Sequence, residues 1–163
     1  MVGQYSKGQG TSLGDVRTQY YGGAGKEVFI GAVETGYMEM GFEVCDVRRP
    51  LAAVSRMTSK GNRVVFGPGE EDNYIQHVES GKKIKMRKKG GAYAVDVVLV
   101  GSGQKAEITI DSAAEEAVCP AEWANEFDMT RVKEGEEMSL VSANGGKIKH
   151  YGRRKVIFEA PVF

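Results

Sequence analysis

The chain has 163 residues, 22 basic and 22 acidic, with 41% hydrophobic and 27% charged side chains, which describes one globular domain and argues against a generic nucleic-acid or other polyanion binder. No apolar run approaches the roughly 20 residues that a bilayer crossing needs, and Met1 to Lys7 lack the apolar core of a signal peptide, so an intracellular, cytoplasmic protein without a membrane partner is expected. Glycine is the outlier: 22 residues, near twice the usual share of about 7%, imply many tight turns and make β-structure the leading class.

Residues 1–26 carry seven glycines and no apolar periodicity, so a flexible, Gly-rich N-terminal arm is expected there, followed by a single domain over 27–163. Val28-Phe29-Ile30 and then Met38, Met40, Phe42 and Val44 read as strands, with Glu34-Thr35-Gly36 as a hairpin turn between them. Leu51 to Met57 follows Pro50, is rich in helix formers and ends at Gly61, which predicts a short helix. Arg63–Phe66, Tyr74–Val78 and Lys83–Arg87 read as a short-stranded meander separated by glycine turns. Ala92–Val100 is the strongest strand, and Gly101-Ser102-Gly103-Gln104 joins it to Ala106–Ile110. The last third predicts a short helix near Ala121–Phe127, an acidic turn to Glu137, a strand at Met138–Val141, a glycine turn, and strands near Ile148 and Lys155–Phe158.

The chemistry concentrates at Ile108-Thr109-Ile110-Asp111-Ser112-Ala113-Ala114, where an apolar strand runs into an acid, a hydroxyl and two small residues. One reading makes Asp111 and Ser112 the cap of a following helix. The other makes Asp111 a carboxylate that small neighbours allow to approach a symmetry mate. Two carboxyls about 3 Å apart cannot both ionise, so they share a proton and can activate a water. Downstream, Val141-Ser142-Ala143-Asn144-Gly145-Gly146-Lys147-Ile148 supplies a glycine-tipped hairpin.

With these segments the chain resembles the retropepsin-like aspartic proteases of retroviruses and retrotransposons. Asp111 to Ala114 resembles their catalytic loop, Ala143 to Ile148 their flap, and Pro50-Leu51-Ala52-Ala53 the apolar pair that leads into their short helix. Two departures stand out: Ala113 and Ala53 occupy positions where the family has glycine. A third is the order, because the helix-bearing half (27–100) precedes the catalytic half (105–163), as in a circular permutant. The resemblance implies a mainly β retropepsin-like acid-protease barrel with one or two short helices and its halves permuted. It also implies a homodimeric hydrolase with Asp111 as the catalytic acid and Ser112, Ala113 and Ala114 completing its loop. Ala143, Asn144, Gly145, Gly146 and Ile148 would form the flap over a peptide or polyprotein substrate. The alternative is a protease-like domain without catalysis, serving in binding or assembly.

No cofactor or metal is expected, since Cys45, Cys119, His77 and His150 are too few for a disulfide framework or a zinc site. Lys82 to Lys89, six basic residues in eight, reads as an edge strand whose lysines discourage sheet pairing rather than as a nucleic-acid contact. Trp123 and Phe127 read as core packing, Cys119 as structural, and the two histidines as packing or surface residues.

Overall fold

The computed structural model describes residues 34–162, so the arm expected at 1–26, the strand at Val28–Ile30 and the chain end at Phe163 lie outside the described residues. Among them the fold is mainly β. Strands β1 (Glu34–Cys45), β2 (Leu51–Ala53), β3 (Asn62–Val65), β4 (Tyr74–His77), β5 (Lys83–Lys85), β6 (Arg87–Lys89), β7 (Ala92–Leu99), β8 (Lys105–Asp111), β9 (Val118–Cys119), β10 (Met129–Arg131), β11 (Leu140–Val141), β12 (Lys147–Ile148) and β13 (His150–Val162) are joined by one α-helix, α1 (Val54–Thr58), and a 3-10 turn at Glu70–Asp72. The main sheet runs β3-β4-β5-β13-β1-β9-β2-β8-β7-β6, with β10 beside β13. It folds back on itself where Phe158 and Glu159 of β13 pair with Leu99 and Val98 of β7. Strands β11 and β12 form a two-stranded sheet of their own. No helix among the described residues is long and apolar enough to cross a membrane.

Alternation decides which face is buried. Met38, Met40, Phe42 and Val44 of β1 meet Val156, Phe158 and Ala160 of β13, with Val95, Val97 and Leu99 of β7 and Ile108 and Ile110 of β8 in the same core. Each large apolar side chain fully buried here contributes about 1.5–3 kcal/mol. The hairpin expected at 101–104 is present: Leu99 N–H donates to Gln104 O at 2.8 Å, Gly103 N–H to Leu99 O at 3.0 Å, and Gly101 takes φ +104°. Its strands pair antiparallel, Val95 opposite Ile108. At the far end of the sheet order β6 is an edge strand, but the lysine run as a whole is not: its first half, β5, lies between β4 and β13, so the edge-strand expectation holds only for Arg87–Lys89.

Five further expectations are corrected. Glu34-Thr35-Gly36 is not a turn but the start of β1, opposite Val162, Pro161 and Ala160, because a full-length partner strand outweighs local turn propensity. Leu51–Ala53 is strand rather than helix, since it pairs in parallel with β8 and antiparallel with β9; only Val54–Thr58 coils. The helix expected at Ala121–Phe127 is a run of turns in which Ala124 takes φ +56°. There the Arg154 guanidinium claims the carbonyls of Ala121 (3.0 Å) and Trp123 (2.6 Å) that a helix would have used. Trp123 nonetheless packs as expected, edge-on to Phe42 with ring centroids 5.2 Å apart. Finally, the strand expected at Lys83–Arg87 divides at Met86, whose side chain is fully buried, and the one expected at Met138–Val141 shortens to Leu140–Val141.

Candidate active site

Asp111 is the last residue of β8. Its neighbour across the sheet is Ala53: β2 and β8 run in parallel, with Leu51 opposite Thr109, Ala52 opposite Ile110 and Ala53 opposite Asp111. Two sequence segments nearly sixty residues apart, both singled out by their residue types, therefore end side by side. The chain leaves β8 through Ser112 and Ala113, both exposed, and the Ala113 N–H turns back to donate to Asp111 Oδ1 at 2.9 Å. This bond ties one carboxylate oxygen to its own loop. Asp111 itself is half-buried. No helix follows, so the capping reading of Asp111 and Ser112 fails.

The loop is anchored on both sides. Ala117, Cys119 and Pro120 beyond it are buried, and Ala117 O accepts the Glu43 N–H at 2.8 Å. Arg56 on α1 forms an ion pair with Glu116, tying the helix that follows Ala53 to the segment that follows Asp111. The alanines that stand in place of glycine fit ordinary backbone: Ala53 has φ −81° and ψ 127°, and Ala124, not Ala113, is the described non-glycine residue with positive φ. Positive-φ strain therefore opposes neither substitution.

The second predicted element is also formed. In the β11–β12 hairpin Leu140 faces Ile148 and Val141 faces Lys147, with a tight turn between them. Ser142 N–H donates to Gly146 O at 2.8 Å, Gly145 N–H to Ser142 O at 2.9 Å, and Gly145 takes φ +88°. Ala143, Asn144, Gly145, Gly146 and Lys147 are exposed and Ile148 is half-buried. Val141 is 58% exposed, so the hairpin presents an apolar side chain to solvent near its tip. The hairpin and Asp111 share no hydrogen bond among the described residues.

Sequence reasoning missed the polar cluster at the hairpin's base. Its members are buried Glu43 and His150 with exposed Arg153. His150 Nε2 lies 2.8 Å from Glu43 Oε1 and 3.1 Å from Gly152 O, Arg153 Nε donates to Glu43 Oε2 at 2.9 Å, and Met138 N–H donates to His150 Nδ1 at 3.0 Å. No short-range signal could have found it, because Glu43 and His150 are 107 residues apart.

The thiols are inert by environment. Burial pushes Cys119 up to about 12, and burial with the nearby Glu43 and Asp46 carboxylates pushes Cys45 up to about 11, so neither supplies a thiolate nucleophile. Among the described residues no group of three or more His, Cys, Asp or Glu gathers to hold a metal. Compared with known proteins, the chain matches no family model, no curated protein and no solved structure.

Proposed function

We propose that the chain is a retropepsin-like aspartic endopeptidase in permuted order, active as a homodimer with one Asp111 from each subunit. The observation that carries this reading is the parallel register of Ala53 with Asp111, which sets the apolar strand entering a helix against the strand that delivers the acid. The permuted order gains support at both joins: Val162 lies opposite Glu34, where the family's order would connect, and the 101–104 hairpin joins β7 to β8. In the dimer the two carboxyls share one proton. The ionised member takes a proton from the water that attacks the peptide carbonyl, and the protonated member hydrogen-bonds the developing oxyanion. An extended peptide, such as a polyprotein segment, would lie between the dyad and the 140–148 hairpin as an added strand.

Asp111→Asn tests it, keeping shape while removing the ionisable acid. The wild type should cleave an extended peptide with a bell-shaped, acid-dependent profile, and the variant should lose about 10²–10⁴-fold in rate or more while dimerising unchanged. A dimeric wild type that cleaves nothing in a broad peptide library from acid to neutral pH would sink the reading. So would equal cleavage by the variant.

A further inference from the structure

The β11–β12 hairpin needs an anchor, because an isolated two-stranded ribbon is marginally stable in water. One leg is held by a backbone bond just beyond the β1–β13 ladder, Asp46 N–H to Lys149 O at 3.0 Å. The other leg, at Met138, is held by a side chain: its N–H donates to His150 Nδ1. His150 can do this because of a β-bulge. The β1–β13 register slips between Val44 and Cys45, so that Val44 faces Gly152 but Cys45 faces His150, with Tyr151 as the extra residue. A one-residue slip moves a side chain to the other face. His150 thereby leaves the core face of Gly152 and Arg154 and joins the face of Cys45 and Glu43.

The contacts fix which nitrogen carries the proton. A backbone N–H can only donate, so Nδ1 must present its lone pair to Met138. Two acceptors, Glu43 Oε1 and Gly152 O, face Nε2, so the ring proton sits there. The ring is therefore neutral in this arrangement. A second proton on Nδ1 would turn the acceptor into a donor aimed at another donor, and the Met138 bond would be lost.

We propose that His150 is a proton-operated latch for the 140–148 hairpin, closed while Nδ1 is bare and released when Nδ1 takes a proton. Releasing Met138 frees a basic nitrogen, so hairpin opening and proton uptake favour each other, and acid shifts the hairpin toward the open state. Titratable and charged groups face the ring from several elements. On β1, Glu43 Oε1 faces Nε2 and Cys45 lies directly opposite the residue. Asp46 follows β1, and on β13 Arg153 is bound to Glu43 and Tyr151 is next in sequence. Arg131 of β10, Glu134 and Glu137 of the loop after it, and Lys147 and Lys149 of the hairpin line the same recess of about 850 Å³. In the protease reading, on which only this clause rests, the latch would free the flap in the acid range where the dyad works.

The test is amide hydrogen exchange and nitrogen NMR on the full chain without substrate, so the outcome is independent of whether any peptide is cleaved. Corrected for intrinsic exchange, Met138 should be protected near neutral pH and lose about tenfold in protection on acidification, while the Val97 amide in β7 stays protected. The His150 Nδ1 resonance should change from the bare to the protonated type over the same pH interval. His150→Asn places a carbonyl oxygen near the Nδ1 position but does not titrate, so Met138 should stay protected at both pH values. Protection at Met138 that ignores pH, that falls only together with Val97, or that falls in His150→Asn as in the wild type would overturn the latch. Should the variant fail to fold, the wild-type titration decides alone: Met138 release without a matching change at His150 Nδ1 also overturns it.

Discussion

Two charge clusters bind strands together in this molecule, one in water and one inside. On the outer face of β6, β7 and β8, Arg87 grips Asp96 with two bonds, 2.7 and 2.9 Å, and also reaches Glu107, which Lys89 approaches at 3.2 Å. At the β1–β13 bulge, Glu43 takes His150 on one oxygen and Arg153 on the other. The formal chemistry is alike. The environments are not: the Asp96 and Lys89 side chains are 61% and 62% exposed, whereas those of Glu43 and His150 are 9% and 3%. In water each pair is screened and the long side chains lose entropy when ordered, so the outer cluster mainly sets the register of an edge strand. Inside, a carboxylate must be fully satisfied or it is costly, so the inner cluster fixes a unique local geometry.

Removing Glu43 should break the comparison most sharply. Glu43→Ala strips His150 of its carboxylate partner, leaving only Gly152 O at Nε2, and Arg153 of its partner, and should cost about 3 kcal/mol, read as a fall in the chemical-denaturation midpoint. Gly152→Ala comes next. A Cβ there would meet Thr130 O at 2.3 Å and Arg131 Cα at 3.1 Å, both backbone, so β10 must shift at a cost of about 2 kcal/mol. Asp96→Asn should be the smallest, below about 1 kcal/mol, and should shrink further in about 1 M salt, where charges are screened within roughly 3 Å. Its pH dependence has a definite sign. The hydrogen bond from Arg87 holds the Asp96 carboxyl below its ordinary 3.8. A depressed folded value means that the contribution is present above the unfolded value and disappears as pH falls through the lower folded one. Denaturation of wild type and variant should therefore converge at strongly acidic pH and differ at neutral pH.

Much of the sheet was legible because local and global preferences agree. Ala92–Val100 alternates, Gly101 and Gly103 supply positive φ, and the hairpin follows. Agreement failed where a distant partner outvoted the local signal. Leu51–Ala53 has helix-forming composition but β8 and β9 on either side. The 121–127 segment has helical spacing but surrenders its carbonyls to Arg154. At the candidate site, Asp111 and the glycine-tipped hairpin could be picked out from residue types alone. The partners of His150 could not, because strict alternation puts that residue on the core face and only the bulge reverses it.

The longest ladder in the molecule also has a kinetic meaning. β1 and β13 pair from Glu34–Val162 to Cys45–His150, which joins the two ends of the described chain. Closing so large a loop costs about (3/2)RT ln n in chain entropy before any contact forms, and non-local pairing is what slows folding most. The β7–β8 hairpin, by contrast, closes across a few residues. The order of assembly that follows runs from that hairpin outward, with the β1–β13 seam zipped last. Until it is zipped, Phe42, Val44, Val156 and Phe158 remain without their cross-strand neighbours, and the half-assembled sheet carries two unprotected edges into solution.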